Sequence, residues 1–163
     1  MPLIAIVTGV AATGAAAWLV LAGRPTPGGA LALLAGALLL AGASRSHTPE
    51  RALERTMDAI ADRLFDAAVL GAAAWTARID RPAVAAGALV ALGGSFLSAY
   101  VRARGASLGY GVEESSATRG LRYGLVGLGL AAGWFGWTVW VLAALMLLAT
   151  AVRASQVAKE ELV

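Results

Sequence analysis

Acidic side chains recur at every fourth position around the start of the third apolar stretch of the chain. They are Glu50, Glu54, Asp58, Asp62 and Asp66. On a helix this spacing stacks the carboxylates along one face, where like charges repel one another. The carboxylates therefore need a compensating positive charge, either from arginine or from a divalent cation. Clustered carboxylate oxygens favour Mg²⁺, Mn²⁺ or Ca²⁺.

Arginines close to these acids offer the alternative to a metal. Arg51, Arg55 and Arg63 precede Glu54, Asp58 and Asp66 by three residues, a spacing that allows ion pairs on a helix. We favour this explanation for Glu50 and Glu54, the outermost acids. For Asp58 and Asp62 a functional role is favoured, because a carboxylate within the membrane costs about 2.5–3.5 kcal/mol at the bilayer centre.

A second group of charged residues consists of four arginines in the later half of the chain. They are Arg102, Arg104, Arg119 and Arg122. Basic residues at a membrane edge can serve simply as cytoplasmic anchors. Guanidinium groups also bind phosphate oxygens in pairs of hydrogen bonds. Carboxylates for a metal beside arginines for a phosphate indicate phosphate-ester chemistry at the cytoplasmic surface.

The composition places these groups in a membrane protein. The chain of 163 residues is 59% hydrophobic and 14% charged, whereas soluble domains carry about a quarter charged residues. It has no cysteine and one histidine, which excludes disulfides, thiolate metal sites and a two-histidine site within one chain. Because the basic residues lie at the ends of apolar segments, the isoelectric point near 10.0 indicates membrane topology rather than nucleic-acid binding.

Six apolar segments predict an all-α bundle of six transmembrane helices, formed by a single domain over residues 1–163. The segments are Leu3–Ala22, Gly29–Ala43, Ala59–Ala77, Pro82–Val101, Leu121–Phe135 and Trp137–Val152. Turns are expected at residues 24–29, 78–82 and 133–136. The first segment has no basic residues before it and is longer than a leader's apolar region, so we expect it to remain as a spanning helix.

Basic residues predict the orientation of the bundle. One face receives Arg45, Arg51, Arg55, Arg102, Arg104, Arg119, Arg122, Arg153 and Lys159. The opposite face receives only Arg24, Arg78 and Arg81, while Arg63 lies within the third segment. The positive-inside rule then places both termini in the cytoplasm of a multi-pass protein of the inner (cytoplasmic) membrane. Tryptophans near the other face, at positions 18, 75, 134 and 137, fit an interfacial belt.

Three stretches of the sequence resemble the CDP-alcohol phosphotransferase family, nearest its actinobacterial phosphatidylinositol-phosphate synthase branch. Residues 56–63 (TMDAIADR) look like the end of the family signature D-x2-D-G-x2-A-R-x8-G-x3-D-x3-D. Residues 98–104 (SAYVRAR) resemble the end of the fourth helix, where the family usually has lysine at the position of Arg102. Residues 117–122 (ATRGLR) resemble its A-E-R-x-x-R segment, with Thr118 in place of glutamate.

The signature can be aligned with the chain without a gap. The aspartates of its second half match, whereas those of its first half do not. Asp58 and Asp62 fall on the third and fourth aspartates, and Ser44-Arg45 fall on the alanine–arginine pair. Glu54 falls on a glycine, while Ala37 and Leu40 stand where the first two aspartates belong. Residues 1–49 contain no Asp or Glu that could substitute for them.

The resemblance implies a set of functional residues. In the family the first three aspartates hold two divalent metals on the CDP diphosphate, and the fourth is the proposed base that activates the acceptor alcohol. By that correspondence Asp62 would be the base, and Asp58 with Glu54 would bind Mg²⁺ or Mn²⁺. The acceptor's phosphate would be held by Arg102, Arg119 and Arg122, and Arg45 would also bind substrate. A CDP-diacylglycerol-like donor, membrane lipids, and a second copy or a paralogue would be the partners, with no role for nucleic acid.

Three functions remain open on the sequence. The first is a divergent but active phosphotransferase, transferring a phosphatidyl group and releasing CMP. The second is a catalytically inactive homologue that serves as a partner or scaffold in a membrane-lipid assembly, motivated by Ala37 and Leu40. The third is a small transporter subunit with the acids along an ion path, disfavoured by the few polar residues in the other helices.

Overall fold

The computed structural model describes residues 2–43, 52–110 and 116–160, and these ranges contain six helices and no strand. The helices are α1 (Pro2–Leu21), α2 (Pro25–Ala43), α3 (Ala52–Ala77), α4 (Pro82–Ser107), α5 (Ser116–Ala131) and α6 (Phe135–Glu160). The predicted all-helical class and the order of the elements are therefore confirmed. Residues 44–51, which include Arg45, Glu50 and Arg51, lie outside the described ranges.

Two of the predicted turns lie too far along the chain, and several helices extend beyond the predicted apolar segments. Helix α2 starts at Pro25 rather than Gly29, since the chain turns at residues 22–24, where Gly23 has a φ of 74°. Proline at the first helical position loses no hydrogen bond, because the first amide groups have no partner within the helix. Helix α5 ends at Ala131 and the turn centres on Gly133, with a φ of 75°, so Phe135 opens α6 instead of closing α5.

Four of the described helices are long and apolar enough to cross a membrane. The spans are Leu3–Leu21, Pro25–Ala43, Pro82–Ser107 and Phe135–Ala158. Helix α3 has too many charges in its first half to qualify, and α5 has only 16 residues. Composition and length thus support a multi-pass helical membrane protein, while the count of six spans remains a prediction.

Small residues allow the helices to approach closely. Helix α2 packs between α1 and α5, α3 contacts α1 and α4, and α4 packs along α6. At the α2–α5 contact, a Cβ atom on Gly29 would lie 2.4 Å from the backbone nitrogen of Ala131. Since lipid offers no hydrophobic drive for helix association, such backbone contact provides much of the packing energy. The result is a tight bundle in which α2 contacts both α3 and α5, and arginine side chains of α5 reach the carboxylates of α3.

Candidate functional site

Three carboxylates of α3 are buried within the helix bundle. Asp58, Asp62 and Asp66 follow one another at successive turns, and their exposed fractions are 9%, 1% and 0%. The predicted stacking along one helix face is thereby observed. Burying ionised carboxylates is costly unless they are paired and hydrogen-bonded. The function of this face of α3 therefore depends on which groups neutralise the three carboxylates.

Arg122 of α5 lies between two of these carboxylates. Its Nη1 donates to Asp66 Oδ2 at 2.8 Å, and its Nη2 forms an ion pair with Asp62 Oδ1. The side chain is itself only 2% exposed. Arg63, one residue after Asp62, forms an ion pair with Asp62 Oδ2 and lies 3.4 Å from Asp66 Oδ2. The predicted pairing of Arg63 with Asp66 is therefore confirmed.

Further donors complete the cluster. Arg119 donates to Asp58 at 2.7 Å, one turn before Arg122 on α5. The hydroxyl of Tyr123 donates to Asp62 Oδ1 at 2.5 Å, and its ring packs on Phe65 with centroids 4.5 Å apart. Ser95 of α4 donates to Asp66 Oδ2 and accepts hydrogen bonds from Arg63 and Arg122. We call Asp58, Asp62, Asp66, Arg63, Arg119, Arg122, Tyr123 and Ser95 the acid–arginine cluster.

The structure brings together part of the predicted site. Asp58, Asp62, Arg119 and Arg122 all belong to the acid–arginine cluster. Glu54 lies in the first turn of α3, and Arg102 lies near the end of α4. Both side chains are half-buried. Arg45 lies outside the described residues, so its predicted role stays a prediction.

Sequence reasoning missed four polar residues at or beside the cluster. Tyr123 and Ser95 belong to it, and Ser98 accepts a hydrogen bond from the buried Arg153 nearby. Tyr123 directly follows Arg122, and Arg153 directly follows the apolar run of α6, so both carried a weak signal. Single serines in an apolar helix carry none, because they commonly satisfy their hydroxyl on the preceding turn of the backbone.

The residues of this cluster do not fit a pair of divalent cations. Among the described residues, no three Asp, Glu or His side chains converge as metal ligands would. On α2, the positions that correspond to the first two aspartates are Ala37 and Leu40, which have no ligand atoms. A Leu40 methyl lies 3.6 Å from where a Cβ on Gly120 would stand, so an apolar side chain faces the start of α5. The positive charge around the acids comes from guanidinium groups.

Comparison with known proteins identifies the fold. The structure is similar to the crystal structure of Mycobacterium tuberculosis phosphatidylinositol phosphate synthase with CDP-DAG bound, with a TM-score of 0.73. The alignment covers 96% of this chain and 86% of that one, at 21% sequence identity. No protein-family model and no curated protein sequence matches the chain. The likeness therefore establishes a shared fold, which is the fold that the sequence resemblance implied.

Proposed function

We propose that this chain is a divergent member of the CDP-alcohol phosphotransferase family that has lost the metal-dependent transfer and acts as a lipid-binding partner in membrane-lipid assembly. The observation that carries the proposal is the position of Arg122, whose guanidinium group contacts both Asp62 and Asp66. The shared fold and the matching stretches 56–63, 98–104 and 117–122 support the family assignment. The proposal includes six spans, cytoplasmic termini and residence in the inner membrane.

Loss of transfer follows from the chemistry that the family's reaction requires. Two divalent cations neutralise the charge that develops on the diphosphate and align the reacting groups. That role needs several converging carboxylates, and this chain has apolar side chains at two of the corresponding positions. Glu54, in the first turn of α3, is the predicted replacement ligand, and it is a single carboxylate. Most of the affinity for a cation pair is therefore expected to be absent.

Asp62, the predicted base, already accepts hydrogen bonds from protein side chains. Oδ1 of Asp62 accepts from Arg122 and Tyr123, and Oδ2 accepts from Arg63. A general base must be within hydrogen-bond reach of the proton it removes. Because protein donors surround both carboxylate oxygens, an alcohol would have to share the carboxylate with Arg63, Arg122 and Tyr123 in order to give up its proton. Asp62 is thus better placed to hold α3 against α5 than to act in catalysis.

A CMP-release assay tests the proposal. The protein in lipid nanodiscs is incubated with CDP-diacylglycerol, Mg²⁺ or Mn²⁺, and a panel of alcohols and alcohol phosphates. We expect no CMP above the level of the matched Asp62→Asn variant. Metal-dependent CMP release that exceeds this control would establish the active alternative, in which Asp62 is the base, Asp58 and Glu54 bind metal, and Arg45, Arg102, Arg119 and Arg122 bind substrate.

Restoring the missing ligands provides the complementary test. The triple variant Ala37→Asp, Leu40→Asp, Ala41→Gly rebuilds the first half of the signature on α2. We expect it to bind Mn²⁺, measured by the loss of free Mn²⁺ signal in electron paramagnetic resonance, where the wild type binds none. The matched control replaces Ala37 and Leu40 with Asn and keeps Ala41→Gly. Binding of two Mn²⁺ ions by the wild type would refute the loss of the site.

A partner relationship completes the proposal. A protein that keeps the fold without the reaction acts by binding, either to a second copy of itself or to an active paralogue. Co-purification of differently tagged copies tests the first possibility. Co-expression with an active paralogue, followed by the CMP-release assay of the mixture, tests the second. A chain that stays monomeric and leaves the paralogue's rate unchanged would contradict the partner role.

A further inference from the structure

A second cavity, of about 290 Å³, lies at the end of the bundle opposite the acid–arginine cluster. Each of the six described helices contributes to its wall, in the order α1 to α6 through Val20, Pro25, Thr76, Val84, Leu130 and Phe135. The three turns at this end contribute Gly23, Arg81 and Gly133. Because the helices surround it, the cavity opens at the end of the bundle, toward water rather than sideways into lipid.

The wall of this cavity is mostly apolar. Val20, Leu130 and Phe135 are buried core residues that line it. The Thr76 hydroxyl donates to two carbonyl oxygens of its own helix, each at 3.0 Å, so it offers a ligand only acceptor lone pairs. The volume is close to the lower limit of the range of about 300–1,000 Å³ that ligand sites have. The cavity therefore suits a small molecule with an apolar body.

Arg81 is the one charged residue among the described residues that line the cavity. It is exposed in the turn before α4, and within the described part of the chain its guanidinium group has no hydrogen bond or ion pair. The neighbouring Arg78 and Asp80 do not line the cavity, and Arg78 stacks on the ring of Trp75. Because a guanidinium group binds a carboxylate through two parallel hydrogen bonds, a single arginine at an apolar cavity favours a ligand with one carboxylate.

We propose that this cavity binds a small carboxylate with an apolar body, with the carboxylate at Arg81 and the body between Val20, Leu130 and Phe135. A neutral molecule of the same shape would lose the charge-assisted hydrogen bonds. A phosphate monoester, with up to two negative charges, would meet only one cation among the described lining residues. The inference goes beyond the proposed function and does not depend on it, since the acid–arginine cluster lies at the other end of the bundle.

Isothermal titration calorimetry of the full chain in phosphatidylcholine nanodiscs, with empty nanodiscs as the blank, measures the binding. The probes are 3-phenylpropanoate and 3-phenylpropanamide, which have the same shape and differ in charge. We expect one site per chain and an affinity for the carboxylate at least tenfold higher than for the amide. Oleate mixed into the nanodisc lipid presents the same carboxylate from the bilayer. Because the cavity opens toward water, oleate should not displace 3-phenylpropanoate.

Two variants with matched controls locate the site. Arg81→Gln removes the cation, and Arg78→Gln removes an exposed arginine that does not line the cavity. Thr76→Phe places a ring in the cavity from an exposed position of α3, and Ala86→Phe places the same ring at an exposed position of α4 that does not line it. We expect Arg81→Gln and Thr76→Phe each to lower the affinity about tenfold or more, and both controls to stay within about twofold.

Thermal unfolding identifies the variants that are folded, and Arg81→Gln, at an exposed position, decides the test if Thr76→Phe does not fold. Four results would overturn the proposal. Absence of wild-type binding at millimolar 3-phenylpropanoate would show that there is no such site, and equal binding of the amide would show a cleft that ignores Arg81. Displacement by oleate would show a site for membrane lipid, and unchanged affinity of folded Arg81→Gln would place the ligand elsewhere. CMP release in the separate assay would overturn the proposed loss of transfer and leave this inference standing.

Discussion

Replacing Arg122 with methionine is the sharpest test of the acid–arginine cluster. Methionine retains an unbranched side chain of comparable length but removes the charge and all five N–H donors. The substitution takes from Asp66 its 2.8 Å contact and from Asp62 one of its ion pairs. Among the partners that the described residues provide, Asp66 would keep Ser95 and the more distant Arg63, at 3.4 Å. A fully buried carboxylate would thus lose its main counter-charge.

The expected cost follows from the burial of both partners. Removing one partner of a buried ion pair destabilises a protein by about 3–5 kcal/mol, because a charge is left buried without compensation. Arg122 and Asp66 are 2% and 0% exposed, so this range applies rather than the ~0–1 kcal/mol of a surface pair. The Asp66→Asn change in the same chain removes the stranded charge. We expect the double variant to be more stable than the sum of single effects predicts, by about 0.5–3 kcal/mol.

Equilibrium unfolding in mixed micelles, with the mole fraction of sodium dodecyl sulfate as the denaturant, gives these free energies. Arg104→Met is the matched control, since Arg104 is exposed near the end of α4. Its cost should stay within about 0.5 kcal/mol. An Arg122→Met protein as stable as Arg104→Met, or strictly additive effects with Asp66→Asn, would refute the claim that Arg122 neutralises the carboxylates.

Two further predictions concern helix packing and the tyrosine of the cluster. Gly29→Ala should destabilise the bundle by about 1–3 kcal/mol, because the added Cβ would lie 2.4 Å from Ala131 N and 2.6 Å from Gly127 O. Gly14→Ala, with no atom within 4 Å, should be neutral or stabilising by up to about 1 kcal/mol in the same unfolding assay, and equal losses would contradict the close α2–α5 contact. Tyr123→Phe should cost about 1.5–3 kcal/mol by removing the 2.5 Å hydrogen bond to Asp62, whereas Tyr100→Phe at a 66% exposed position should cost nothing measurable. A Tyr123→Phe protein indistinguishable from Tyr100→Phe would show that the hydroxyl does not support Asp62.

The helices were predictable because an apolar run of nearly membrane length has few stable structures other than a spanning helix. The residues at which the helices begin and end were harder to predict. Pro25 and Pro27 look like a turn in the sequence, yet the first turn of a helix accommodates them because its amide groups need no partner there. Helices α4 and α6 continue to Ser107 and Glu160, beyond the apolar segments, since polar residues extend a helix as readily outside the bilayer as apolar ones do within it.

The sequence predicted which charged residues form the site, but it did not predict the ion pairs between α3 and α5. The spacing of Asp58, Asp62 and Asp66 fixes them on one helix face, and local spacing also predicts the contact of Arg63 with Asp66. The contacts of Arg119 and Arg122 join residues about sixty positions apart. No local rule connects them, because the position of α5 relative to α3 depends on the packing of other helices, including α2, which contacts both.

The apolar side chains on α2 and the ion pairs made by α5 both bear on one electrostatic requirement. Three buried carboxylates need positive charge whether or not the protein catalyses a reaction. When α2 carries Ala37 and Leu40, the ligands for a cation pair are missing, and the guanidinium groups of Arg119 and Arg122 supply the charge through fixed contacts. A guanidinium group is part of the protein and cannot dissociate as a metal ion can. These arginines therefore link α5 to α3 without a metal. Arg122 also lines a cavity between α5 and α6, so the residue that neutralises Asp62 and Asp66 contributes to a second feature of the bundle.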